Sequence, residues 1–451
     1  MTSSNQREIA VIVLAAGKGT RMRSPRPKVL HEIGGRALIG HVFASAETLR
    51  PTRRIVVVGP EGEAVAEAAH AIAGDCRVAK QDPALGTGHA VQCALPEFDG
   101  FNGVAVILYA DTPLIRPETL EKLAAALSGG ADVAVLGFDS DAPGAYGRLV
   151  TDESGLAAIV EAKEATAEQL EISFCNSGVM AVRADLLRAL LPKLSNANAK
   201  GEYYLTDLVA LARESGARCM AIAGVEEEFI GVNSQAELAA AEAIFQRRAR
   251  RAALEAGVTL SAPETVHFCY DTEIAPGAIV HPYVVFGPGV SIAGGAEVKS
   301  FSHIEGARIA PGAVVGPHAR LRPGADIGAG ARIGNFVEVK KARVAEGAKI
   351  NHLSYVGDAD VGPGANIGAG VITCNYDGFG KYKTVIGGGA FIGSNSALIA
   401  PVSIGAGAIV GAGGAISKDV DADALALTRA PQTQQEGWAA RFRAAKTKKP
   451  E

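Results

Sequence analysis

"IAPGAVVGPHARLRPGADIGAGARIGNFVEV" (residues 309–339) carries a branched apolar residue at every sixth position: Ile309, Val315, Leu321, Ile327, Ile333 and Val339. Small and turn-forming residues fill the gaps. A six-residue period with glycines at fixed phase predicts a parallel β-helix of hexapeptide repeats, one strand and one corner per hexad. Apolar side chains then stack in ladders inside a prism, while small residues fit corners where a larger one would clash. The phase runs upstream through Ile274, Val280, Phe286, Ile292, Val298 and Ile304. It returns downstream at Ile386, Ile392, Leu398, Ile404, Val410 and Ile416. Glycine-rich disorder, the alternative, would not keep this phase. The repeat breaks at "TCNYDGFGKYKT" (373–384), which predicts an external loop of the kind that carries function on rigid scaffolds.

Upstream the pattern changes. Apolar runs ("IAVIVLAAG", "RIVVVG", "GVAVILYAD", "ADVAVLGF") alternate with helical stretches, predicting an α/β domain with a parallel sheet covered by helices on both faces. Residues 233–257 read as one long helix, with Ser234 and Glu237 as a capping box and Gly257 as the stop. Its "RRARR" reads as a solvated face. The expected division is 1–232, a linker helix 233–257, and 258–451.

Bulk properties narrow the function. A chain of 451 residues exceeds one compact core. A net charge of −4 with 20% charged residues leaves no electrostatic footprint for nucleic acid or membrane. Six scattered cysteines without a C-x-x-C pair suggest neither disulfides nor a zinc site, and favour a reducing compartment. The N-terminal apolar run follows an acidic residue and ends in a loop, unlike a signal peptide, and no run is long enough to span a membrane, so a cytoplasmic protein is expected. "AAKTKKPE" (444–451) reads as a disordered basic tail.

"LAAGKGTRMRSPRPK" (14–28) looks like a phosphate loop. It fits neither G-x-G-x-x-G nor G-x-x-x-x-G-K-[ST]. Gly17 and Gly19 allow close backbone approach to an anion, with Arg21 and Lys28 following. Asp111 comes just after "GVAVILYA", at the carboxyl edge of an expected parallel strand, where such sheets bind ligands. Mg²⁺ takes hard oxygens and commonly only one or two from protein.

The loop resembles the signature of sugar-nucleotide pyrophosphorylases. With "QDPALGTGHA", "YADTPL", "GEYYLTD", "GVNS", "RLRPGA", "NFVEVKKAR", "NHLSYVGDA", "NIGAGVITCNYDG" and "RAPQTQQEGW", nearly the whole chain resembles the bifunctional bacterial N-acetylglucosamine-1-phosphate uridyltransferase/glucosamine-1-phosphate acetyltransferases. Ala110 in "YADTPL" stands where glycine is more usual.

The resemblance implies a Rossmann-like nucleotidyltransferase domain followed by a left-handed parallel β-helix. It implies acetylation of glucosamine 1-phosphate by acetyl-CoA, then transfer of UMP from UTP, feeding peptidoglycan and lipopolysaccharide synthesis. For the first half it implies nucleotide and UDP-sugar contacts at Leu14, Ala15, Ala16, Gly17, Gln81, Gly86, Thr87 and Tyr109, and sugar contacts at Gly147, Glu161 and Asn176. Arg21 and Lys28 would stabilise the leaving pyrophosphate, with Mg²⁺ on Asp111 and Asn233.

For the second half it implies a sugar-phosphate clamp of Arg322, Lys340 and Tyr355. Arg322 and Lys340 lie eighteen residues apart, one coil of three hexads, and so should stack. His352 is the expected base; twelve residues beyond Lys340, it is expected on the same face. Glu338 would orient that imidazole or the amine. Asn366, with Asn375 and Tyr376 of the insertion, completes the sugar site, the last two bordering acetyl-CoA. The Ala369 N–H would hold the oxyanion, and Ser394, Ala412 and Arg429 would contact coenzyme A. The family pattern implies a homotrimer with this site between subunits. A β-helix serving only as an oligomerising module or scaffold is the competing reading; it would lack the Arg322–Lys340–His352–Asn375 set.

Overall fold

The computed structural model describes residues 8–198 and 200–447. The chain divides into two compact units, Met1–Arg248 and Ala249–Glu451.

The first unit is built on β1 (Ile9–Ala15), β2 (Arg53–Val58), β3 (Arg77–Lys80), β4 (Val104–Tyr109), β5 (Val133–Asp139), the pair β6 (Arg148–Asp152) and β7 (Gly155–Val160), β8 (Phe174–Arg183) and β9 (Cys219–Ala223). The main order is β9-β5-β8-β4-β1-β2-β3. Alternate residues of β1 enter different cores. Ala10, Ile12 and Leu14 pack with Val91, Phe98 and Leu208; Val11, Val13 and Ala15 pack with Phe43, Leu123 and Phe229. Burial on both faces is why these strands read as unbroken apolar runs.

One strand departs from the expected parallel sheet. β8 runs antiparallel to both β4 and β5. After β5 the chain makes the β6–β7 hairpin outside the main order and re-enters from the same end. That return needs no helical crossover, so the strand direction reverses.

In the second unit three ladders run the length of the stack. Val280, Val298, Val315, Ile333, Ile350, Ile367, Ile392 and Val410 pair in register along one face. Ile274, Ile292, Ile309, Ile327, Val344, Val361, Ile386 and Ile404 form the second. Phe286, Ile304, Leu321, Val339 and Val356 start the third, which Thr373, Leu398 and Ile416 continue. Of the eighteen phase residues in the sequence, all but Ile274 are fully buried. This is the expected parallel β-helix. Neighbouring coils step by 17 or 18 residues, but Ile367 pairs with Ile392. The extra residues form the expected external loop, where Phe379 is 98% exposed.

The helix Gln235–Glu255 ends as expected. Gly257 has φ +87°, and Val258 N–H reaches Ala253 O while Gly257 N–H reaches Leu254 O, a Schellman cap. Its start differs from expectation: Ser234 Oγ accepts from Glu237 N–H, but the Glu237 carboxylate turns to the Asn233 N–H instead of closing the box. The "RRARR" stretch is also more than a solvated face, since Arg248 bonds Leu114 O and Arg250 bonds Val266 O. Ala444–Thr447, expected in a disordered tail, end the helix Trp438–Thr447, because 438–447 holds only helix-compatible residues; 448–451 lie outside the described residues.

Candidate active sites

In the first unit the candidate residues gather at the carboxyl ends of the parallel strands. β1 delivers Leu14 and Ala15 to the loop, β3 ends just before Gln81, and β4 ends at Tyr109, two residues before Asp111. Gly19 takes φ +61°, and a side chain there would meet Lys28 Cβ at 2.7 Å. The loop can therefore fold its lysine back inward. Lys28 Nζ lies 2.5 Å from Asp111 Oδ2 and 2.9 Å from Asn233 Oδ1. A carboxylate and an amide oxygen from distant parts of the chain thus converge on one positive charge.

That donor set fits Mg²⁺, which takes hard oxygens in small number from protein. Glu237 accepts from Asn233 N–H at 2.7 Å and fixes the second oxygen donor. Arg21, Tyr109, Asp111, Asn233 and Glu237 line one open cleft with Tyr146. Burial raises the Tyr109 phenol, reinforced by the Asp111 charge, so it stays a neutral donor.

The remaining candidates form smaller groups. Gln81 Nε2 donates to Gly86 O at 2.8 Å. Thr87 Oγ1 accepts from Leu205 N–H. Asn176 N–H donates to Gly147 O, and Asn176 Oδ1 accepts from Gly178 N–H. Glu161 accepts from Thr206. Gly86, at φ +104°, passes so close to Tyr203 O that a Cβ would lie 2.7 Å from it.

In the second unit Arg322 and Lys340 occupy the same step of successive coils, following the pair Leu321 and Val339. The expected stacking is present. Arg322 Nη1 donates to Glu338 at 2.8 Å, and among the described residues its buried Nε has no partner. Lys340 is held below the ordinary lysine range, first by its contact with Lys381 and then by the charges of Lys381 and Arg322. Crowded cations with an unsatisfied donor make an anion site. Asn375 Nδ2 reaches the Tyr355 hydroxyl and Asp358, which ties the insertion to the clamp.

His352 stands elsewhere. It ends the strand Lys349–His352 of one ladder, while Lys340 lies in Glu338–Val344 of another. The expectation of a shared face fails because twelve residues make two hexads, short of a full coil of 17 or 18. Glu338 does not orient the imidazole either; its partner is Arg322. Asn335, one coil below, does so: its Oδ1 lies 2.8 Å from His352 Nδ1. An amide oxygen can only accept, so Nδ1 carries the proton and Nε2 keeps its lone pair.

Beyond His352, corners of successive coils bring Ala369, Ser394 and Ala412 into a column through Asn395 N–H to Ala369 O and Gly413 N–H to Ser394 O. Arg429 donates to Ala412 O. The Ala369 N–H makes no hydrogen bond among the described residues. Asn366 starts the strand leading to this column, and Tyr376 stands exposed on the insertion, bonded to Gly378 O.

Residues 11–200 match the MobA-like NTP transferase domain. The bifunctional protein GlmU of Azorhizobium caulinodans is 54% identical over 444 residues, spanning 98% of this chain and 99% of the relative. That of Rhodospirillum rubrum is 57% identical over 442 residues, 96% of this chain and 97% of the relative. The chain belongs to the bifunctional GlmU family. GlmU membership covers both units, so the β-helix is part of the shared architecture. Among described residues no helix is long and apolar enough to cross a membrane.

Three residues beside these GlmU-type sites escaped the sequence reading: Glu237, Asn335 and Lys381. Glu237 was legible only as a cap. Asn335 was detectable, since it precedes His352 by one 17-residue coil. Lys381 stood in the insertion "GKYK" without a phase to place it.

Proposed function

We infer that this chain makes UDP-N-acetylglucosamine in two steps. It acetylates glucosamine 1-phosphate with acetyl-CoA, releasing coenzyme A, and then transfers UMP from UTP to N-acetylglucosamine 1-phosphate, releasing pyrophosphate. The observation that carries the site assignment is the convergence of Lys28, Asp111 and Asn233 at the strand ends.

In the uridyl step a sugar-phosphate oxygen attacks the α-phosphorus, and the P–O bond to pyrophosphate breaks. Both reactants are anions, so the site must align them and offset their charge. Arg21 and Lys28 receive the pyrophosphate charge, while backbone N–H groups around Gly17 cradle the phosphates. Asp111 and Asn233 would hold Mg²⁺, whose charge, when bound, offsets that of the phosphates. Gln81, Gly86 and Thr87 receive the base; Gly147, Glu161 and Asn176 receive the sugar.

In the acetyl step Arg322, Lys340 and Tyr355 hold the phosphate, with Asn366, Asn375 and Tyr376 around the sugar. His352 Nε2 takes the amine proton as nitrogen attacks the thioester carbon. The Ala369 N–H receives the oxyanion, and the C–S bond then breaks to release the thiolate of coenzyme A along Ser394, Ala412 and Arg429. We place this site between copies of a cyclic homotrimer, as the family pattern implies, since a continuous β-helix with charged flanks suits a repeated side-by-side interface. The two activities divide along 1–232 and 258–451, with helix 233–257 between them, in a cytoplasmic enzyme.

Purified protein given glucosamine 1-phosphate, acetyl-CoA, UTP and Mg²⁺ should release coenzyme A and pyrophosphate and accumulate UDP-N-acetylglucosamine. Absence of either release would reject the corresponding half of the assignment.

A further inference from the structure

Lys28 Nζ engages both oxygens assigned to the metal ion. It donates to Asp111 Oδ2 at 2.5 Å and to Asn233 Oδ1 at 2.9 Å, and its side chain is only 9% exposed. Among the described residues neither oxygen has another hydrogen-bond donor. A Cβ placed on Gly17 would lie 4.0 Å from the same nitrogen. The ammonium therefore stands beside the phosphate loop while it is bonded to the two donors. A divalent ion and an ammonium compete for them, because one carboxylate charge does not offset three positive charges crowded on two oxygens.

We propose that Lys28 is an exchangeable place-holder: it keeps the ion's two oxygens until nucleotide phosphate takes over its ammonium, so that ion and nucleotide bind together. The proposal rests on the reading that Asp111 and Asn233 hold Mg²⁺. An ion arriving alone must break both lysine bonds and leave a buried ammonium without a partner, the costly case for a buried charge. With UTP in the cleft, the phosphates beside Gly17 supply that partner and the cost falls. The coupling is reciprocal, since whatever the nucleotide adds to ion affinity the ion adds to nucleotide affinity. One lysine thus disfavours a bare ion in the cleft and turns to the phosphates as the ion enters.

The test measures binding of Mn²⁺, which takes the same oxygen donors as Mg²⁺, to the full-length protein without nucleotide. Electron paramagnetic resonance reports the free ion, and acetyl transfer checks overall integrity. Lys28→Met removes the competitor and should tighten Mn²⁺ binding by about tenfold or more, the scale of hydrogen bonds to charged groups. Arg21→Met removes a cation that lines the same cleft but bonds neither oxygen, and should change the affinity far less. Should Lys28→Met fail to fold by circular dichroism, Lys28→Gln takes its place. Asp111→Asn locates the ion, and should weaken Mn²⁺ binding both alone and combined with Lys28→Met. If it does so while Lys28→Met shows no gain, or while Arg21→Met gains as much, the exchange is overturned. If Asp111→Asn leaves Mn²⁺ binding unchanged in both backgrounds, the ion-site reading is overturned and the inference falls with it.

Discussion

His352→Ala should slow acetyl transfer by about 10²–10⁴-fold, the usual range for loss of a general base, or about 3–5 kcal/mol of barrier. The structure adds a graded companion. Asn335→Ala leaves the imidazole in place and removes only the 2.8 Å bond that sets its proton on Nδ1. One net hydrogen bond is worth about 0.5–1.5 kcal/mol, so Asn335→Ala should lose roughly two- to thirteenfold. Because Asn335 acts through His352, the double variant should be no slower than His352→Ala alone. Thiol release from acetyl-CoA gives the rate, and pyrophosphate release from UTP gives the control, which should not move. The affinity for glucosamine 1-phosphate should change little, since the Arg322–Lys340 clamp survives. Refutation would come from His352→Ala keeping most of its rate, or from the two losses multiplying in the double variant.

Three further outcomes are expected. Asp111→Asn should lower uridyl transfer by at least about 10²-fold and raise the Mg²⁺ needed for half-maximal rate, with acetyl transfer intact; near-normal UDP-sugar formation would reject the ion site. Ile333→Ala, at 1% exposure between Val315 and Ile350 in one ladder, should cost about 2–5 kcal/mol in chemical denaturation followed by circular dichroism, and a loss below about 1 kcal/mol would mean the ladder is not the core. Sedimentation equilibrium of the full chain should give three times the monomer mass, whereas a monomer with full acetyltransferase activity would reject the intersubunit site.

The repeats were readable because a β-helix couples sequence to space with almost no freedom. Each hexad adds a strand and a corner, so Val315 and Ile333, eighteen residues apart, could be assigned to one buried column from spacing alone. The nucleotide loop was legible through its glycines and its place after β1. The reversal of β8 was not, because strand direction depends on where a connection re-enters the sheet, and the apolar residues Val179–Val182 of β8 carry no sign of direction. Glu237 escaped for a different reason. A carboxylate in the first turn satisfies helix chemistry equally well at Ser234 or Asn233, and only the packed geometry selects Asn233.

The same arithmetic that placed Arg322 one coil below Lys340 misplaced His352, and the contrast carries a conclusion. Eighteen residues return the chain to the same corner; twelve do not. Arg322 and Lys340 therefore meet by construction, and Lys340 is pushed below the ordinary lysine range first by Lys381 and then by the Arg322 charge. His352 instead shares its register with Asn335, one coil below. One strand ladder sets the clamp and another sets the tautomer of the base. In the proposed trimer a repeated side-by-side interface would complete the site around both groups. A variant that dissociates the assembly without touching either group should then bind glucosamine 1-phosphate and yet fail to acetylate it.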